Sequence, residues 1–172
     1  MRFHPVLAVA LLCAASMSMA ACGHSAAAGP KSPKIAPAFV AKVNAFCAAE
    51  TRRFPAYGKQ FPYSHFDPHH PDLATLPRVG SYFAADLPER HKLPARLNAL
   101  GEPATGRPQW DRIRCLALQE NAVAIRQVNV ALASQAQAFT ETARAIDKIT
   151  DELHHAARSA GFSTTSPCAM PF

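Results

Sequence analysis

The signatures of catalysis are missing from this 172-residue chain. It holds no Gly-x-Ser-x-Gly elbow, no His-Glu-x-x-His helix, no phosphate loop and no dinucleotide glycine pattern. Cys-x-x-Cys, a common opening of structural zinc sites, is absent as well. Charge is scarce: Asp, Glu, Lys and Arg together make up 17%, against about a quarter in ordinary soluble domains. No segment alternates apolar and polar residues with the period of a strand. Neither an enzyme of a familiar class nor a β-sheet domain is expected.

Hydrophobic residue types reach 49%, enough apolar surface to offset the entropy of ordering, so a wholly disordered chain is excluded. Fifteen prolines exclude an unbroken helical rod. The length suits one domain of ordinary size. A formal charge of +6 would ordinarily raise nucleic acid as a partner, but the N-terminus points elsewhere.

Arg2 supplies a basic start, Pro5 to Ala21 carries no charge, and Val6 to Leu12 is a short apolar core. A basic start, a short apolar run and small residues at its end describe an export signal. A retained transmembrane helix needs about 20 apolar residues, whereas Ala15-Ser-Met-Ser18 weakens the run here. The small residues close on Met19-Ala-Ala-Cys22-Gly23, which resembles the lipobox of bacterial lipoproteins. That resemblance implies cleavage before Cys22, removal of residues 1–21 as signal peptide, and a diacylglyceryl group on the Cys22 thiol. Residues 22–34, small and punctuated by Gly and Pro, read as a flexible tether. Two acyl chains on one residue meet the requirement for stable anchoring. The basic charge then has anionic lipid, a cell-wall polymer or another envelope protein as its partner, and no nucleic acid. The expected location is the outer face of the bacterial cell membrane.

Residues 35–172 read as one all-α domain, a four-helix up-down bundle with a proline-rich irregular connection. Pro37 fits the first turn of a helix to about Phe54, with Phe39, Val43, Phe46 and Cys47 at helical spacing. Residues 55–72 contain too many prolines for any period, yet their aromatics argue for a loop packed onto the domain. Leu73 to Leu87 forms the second helix, with Asp72 or Thr75 as cap and Pro88 as a break. A short amphipathic piece follows at Leu93, Leu97 and Leu100. Pro108 to Ala160 contains no further proline or glycine until Gly161. A single helix of that length would span about 75 Å. A break near Ala133-Ser134-Gln135 is therefore expected, with Ser134 capping the last helix and Gly161 stopping it. The scattered acids, Glu120, Asp147 and Asp151 among them, read as solvated helix faces.

Removal of the signal and lipidation of Cys22 leave Cys47, Cys115 and Cys168. An exported place permits disulfides, and three thiols allow three pairings. Cys47–Cys168 is the expected one, since it would pin the C-terminal tail to the first helix, while Cys115 reads as a small buried side chain.

The body also resembles small helical lipoproteins of actinobacteria. The likeness lies in Phe39-Val-Ala-Lys-Val-Asn-Ala-Phe-Cys47, Phe61-Pro-Tyr-Ser-His-Phe-Asp-Pro68, Gly101-Glu-Pro-Ala-Thr-Gly106 with Trp110, and the ending Ser166-Pro-Cys168. It implies a single helical domain with a cysteine near each end and implies no activity.

One segment carries metal-binding residue types. Between Tyr63 and Asp72 lie His65, Asp67, His69 and His70, a donor set suited to Zn²⁺ or Cu²⁺, with His91 able to join from the next segment. Against this stands a plain turn-forming loop whose aspartates bond neighbouring backbone. No cofactor is expected beyond the covalent lipid unless that loop loads Zn²⁺ or Cu²⁺. The leading expectation is a non-enzymatic interaction or ligand-binding lipoprotein. A lipoprotein that binds or delivers metal is the alternative.

Overall fold

A computed structural model describes residues 34–54, 56 and 61–162. The segment expected to be a signal, most of the expected tether and the tail with Cys168 lie outside the described residues. Those that are described form five α-helices and no strand: α1 Pro37–Thr51, α2 Leu76–Ala84, α3 Leu87–Asn98, α4 Arg107–Leu132 and α5 Ala136–Ser159. Among them no helix is long and apolar enough to cross a membrane.

Prolines start helices here more often than they stop them. Pro37, Pro77, Pro88 and Pro108 all occupy first-turn positions, where the missing N–H costs nothing. Pro88 was expected to break the chain. It instead opens α3, so the short amphipathic piece around Leu93 is a full helix. Pro94 lies inside that helix and cannot donate to the carbonyl of Arg90 four residues back. Asn121 of α4 replaces the lost donor, its Nδ2 giving a hydrogen bond to Arg90 O at 3.1 Å.

The break after α4 falls where expected, by a different device. Ser134 does not cap α5; it takes φ +55° just beyond α4. Its N–H bonds Ala131 O at 3.0 Å, and the Gln135 N–H bonds Val130 O at 2.9 Å. That pair of bonds closes α4 as a Schellman motif. α5 ends identically, with Gly161 at φ +88° and bonds from Gly161 N to Arg158 O and Phe162 N to Ala157 O. Asp72 serves the start of α2, accepting bonds from the N–H of Ala74 and Thr75 and from the Thr75 hydroxyl.

α4 is the spine. The larger core cluster joins Phe39, Val43 and Cys47 of α1 to Leu97, Trp110, Ile113, Leu116 and Leu153. A second cluster joins Leu76 to Val130, Ala131 and Phe139 at the other end of α4. α5 therefore runs antiparallel to α4, and so do α2 and α3 in succession. α1 meets the N-terminal half of α4, where Thr105 Oγ1 donates to Lys34 O at 2.8 Å. Across α1 and α3, the buried Glu50 carboxylate takes Arg96 Nη2 at 2.6 Å and Arg53 Nε at 3.1 Å. Lys42 Nζ reaches Leu100 O at 2.8 Å.

α2 touches α4 through Gly80. A Cβ there would stand 2.7 Å from Leu132 N and 3.0 Å from Ala131 Cβ, so the helices must part before any side chain fits. Gly80→Val is expected to cost about 2–3 kcal/mol, because overpacking strain exceeds the small gain in helix propensity. Urea denaturation checks this, and an unchanged midpoint would contradict the close approach.

Cys47 is fully buried. Both Cys47 and Cys115 are disulfide-bonded. That corrects the expectation for Cys115, which was read as standing outside any bridge. The expected partner of Cys47, Cys168, lies outside the described residues.

Candidate functional site

Phe61 is the hub of the proline-rich loop. Its ring meets Tyr63, Phe66, Tyr82 and Phe83 at centroid distances of 5.5, 6.4, 5.5 and 5.6 Å. Phe66 in turn lies 5.7 Å from Phe139 of α5, edge to face. Such pairs contribute about 0.5–1.5 kcal/mol each beyond area burial, enough to seat a loop without secondary structure. Two polar contacts hold its upstream end: Asp86 Oδ1 accepts from Ala56 N at 2.8 Å, and the Tyr82 hydroxyl donates to Ala56 O at 2.9 Å.

Between this loop and helices α2 to α5 lies a cleft of about 810 Å³. Its walls are Phe61, Phe66, Phe83, Val128, Phe139 and Ile146, with Asp86, Arg90 and Gln127 among the deeper residues and Asp147, Thr150 and Asp151 along α5. The volume falls in the range of small-molecule sites, and an apolar wall with a few placed polar groups is their usual lining.

Charge is buried beside the cleft. Asp86, Arg90 and Glu120 are 3%, 3% and 5% exposed. Burial lowers the Arg90 guanidinium to about 10, with Asp86 and Glu120 opposing that shift, so it stays charged at neutral pH. Burial raises Glu120 to about 7 against the pull of Arg90. The Arg90 guanidinium also lies over the Phe54 ring, 5.3 Å from its centroid, a contact that favours the cation in a dry setting. Gln127 is 6% exposed and lines the cleft, and its amide finds no partner among the described residues. The Thr150 hydroxyl, buried on the same wall, also has none.

The candidate metal residues do not converge. Asp67 pairs with His70 Nδ1 at 2.9 Å and accepts from the His69 N–H at 2.8 Å. The bond from His70, then that from His69, holds its carboxyl below the usual range. His69 turns away, its Nε2 lying 3.2 Å from Asp147 of α5. His65 and His91 are exposed. Among the described residues no group of three or more His, Cys, Asp or Glu side chains is placed to hold an ion. The loop is built as pairs: one forms a turn within the loop, the other ties it to α5.

Sequence reasoning missed the buried polar set. Glu120, expected on a solvated face, is buried. The signal was its register: Ile113, Glu120 and Gln127 recur every seven residues along α4, so two polar residues share a stripe with a core isoleucine.

Comparison with family models, curated proteins and solved structures returns no match.

Proposed function

We propose that this chain is a non-enzymatic bacterial lipoprotein, anchored through Cys22 at the outer face of the cell membrane, whose helical body binds a small apolar ligand. The cleft between the aromatic loop and helices α2 to α5 carries the ligand-binding half of this reading. Disulfide bonding at Cys47 and Cys115 fits an oxidising compartment outside the cytoplasm. The body reads as an up-down bundle of four legs, α2 and α3 forming one leg broken around Asp86. The alternating contacts of α1, α3, α4 and α5 favour that arrangement, and it leaves the break as the place where the cleft opens.

Anchoring has a direct test. Cells producing the wild-type chain should incorporate radiolabelled palmitate into it, and Cys22→Ala should abolish the label. A wild-type chain that takes up none rules out the anchor.

Ligand binding is tested separately with the full chain on lipid nanodiscs. Titration with 4-phenylbutanol should release heat beyond that of empty discs. Thr150→Trp, which fills the cleft from α5, should remove this heat while leaving Tm within about 3 °C, the scale of a sub-kcal change in a domain this size. Equal heats from wild type and variant would place binding elsewhere.

A further inference from the structure

We infer that the cleft selects a ligand with one protonated amine, its apolar body between the aromatic rings and its ammonium at the α5 mouth. This rests on the ligand-binding reading above and adds the chemistry of the head group. Two independent features carry it.

The first is the balance of charge around the cleft. Among the described lining residues one cation, Arg90, is set against three carboxylates, Asp86, Asp147 and Asp151. Arg90 is already committed: it lies over Phe54 and is attracted by Asp86 and Glu120. A ligand carboxylate approaching it would meet the Asp86 carboxylate as well. Asp86 is committed too, accepting from Ala56 N. Asp147 and Asp151 differ. They lie one turn apart on α5, a spacing that puts both on one face, and both are exposed. Asp147 has only the His69 imidazole at 3.2 Å, and Asp151 has no partner among the described residues. Among the described lining residues, the carboxylates not already committed are those of Asp147 and Asp151 at this mouth.

The second feature is Gln127, more than nine-tenths buried, lining the cleft and without a hydrogen-bond partner among the described residues. Its amide offers both an acceptor and a donor, and a ligand N–H or hydroxyl within the cleft would pair with it. The Thr150 hydroxyl, likewise unpartnered, lines the same cleft and offers a second acceptor. Apolar walls, a buried acceptor and two carboxylates at the rim together describe an amphiphilic amine.

The test compares three probes of one skeleton on the full chain in nanodiscs: 4-phenylbutylamine, 4-phenylbutanol and 4-phenylbutyrate, each corrected for empty discs. The amine is expected to bind about tenfold tighter than the acid at low salt, the size of effect two partly exposed carboxylates supply. In the double variant Asp147→Asn, Asp151→Asn the preference should vanish while 4-phenylbutanol binds as before. Both positions are exposed, and an amide at 147 still accepts a hydrogen bond from His69, so the loop stays seated and unchanged binding of 4-phenylbutanol verifies it. Acid binding as tightly as amine, or a preference untouched by the double variant, overturns the inference and leaves the cleft standing through the alcohol. Failure of all three probes to bind overturns the ligand-binding reading along with it.

Discussion

Replacing Trp110 with alanine is expected to remove about 3–5 kcal/mol of unfolding free energy, a large part of the roughly 5–15 kcal/mol that folded domains possess. The indole is 0% exposed and belongs to the cluster that joins α1, α3, α4 and α5. It packs edge to face with the Phe39 ring at a centroid distance of 5.0 Å, and its Nε1–H donates to Gly101 O at 3.1 Å. One side chain therefore docks α1 and secures the turn after α3 at once. Alanine leaves a cavity that helices fixed by short connections close only in part, and it orphans the Gly101 carbonyl. Trp110→Phe keeps most of the apolar volume and loses the hydrogen bond, so its cost should be nearer 1–2 kcal/mol. Urea midpoints for the two variants measure the difference. A loss below about 1 kcal/mol in Trp110→Ala would mean that Trp110 does not hold the helices together.

Trp110 also marks what could be read from the residues in order. The long segments were legible because their apolar positions repeat over many turns: Phe39, Val43 and Cys47 on α1, Ile113 and Val128 on α4, Phe139, Ile146 and Leu153 on α5. The stop at Gly161 was legible because glycine is the residue that takes positive φ without strain. Ser134 takes the same conformation without that advertisement, and its role at the end of α4 was misread as a cap. Pro88 was misread for a related reason. A proline forbids a helix before it and favours one after it, and sequence alone does not say which effect decides. The cleft was the least legible part. Its wall is assembled from Phe61, Phe83 and Phe139, far apart in the chain, and its polar groups were hidden among residues that look solvated. Asp67 and His70 drew notice because they are neighbours in sequence, whereas Asp86, Arg90 and Glu120 meet only through packing.

Glu120 gives that buried group a measurable consequence, a loss of stability as pH rises. Its carboxyl goes from an ordinary value of 4.5 to about 7 on folding, burial outweighing the attraction of Arg90. The folded state therefore holds the proton more tightly than the unfolded chain. Below pH 4.5 both states are protonated and the contribution is fully present. Between pH 4.5 and 7 the unfolded chain ionises while the folded one resists, and stability declines by up to about 3 kcal/mol. Three other carboxylates act in another window. Asp67, Asp72 and Glu89 are held below their ordinary values by hydrogen bonds, chiefly from His70, Thr75 and Lys92, so their contribution is present above those values and is lost only on further acidification. The two effects separate near pH 4.5. In Glu120→Gln the amide keeps the volume and never ionises, so the fall in Tm from pH 5 to pH 8 should flatten. At pH 8 the variant should match or exceed wild type, because an ionised Glu120 beside charged Arg90 costs more in desolvation than the pair recovers. A variant whose Tm follows the wild-type slope across that interval, or that is less stable at pH 8, would show that Arg90 holds Glu120 ionised in the folded protein.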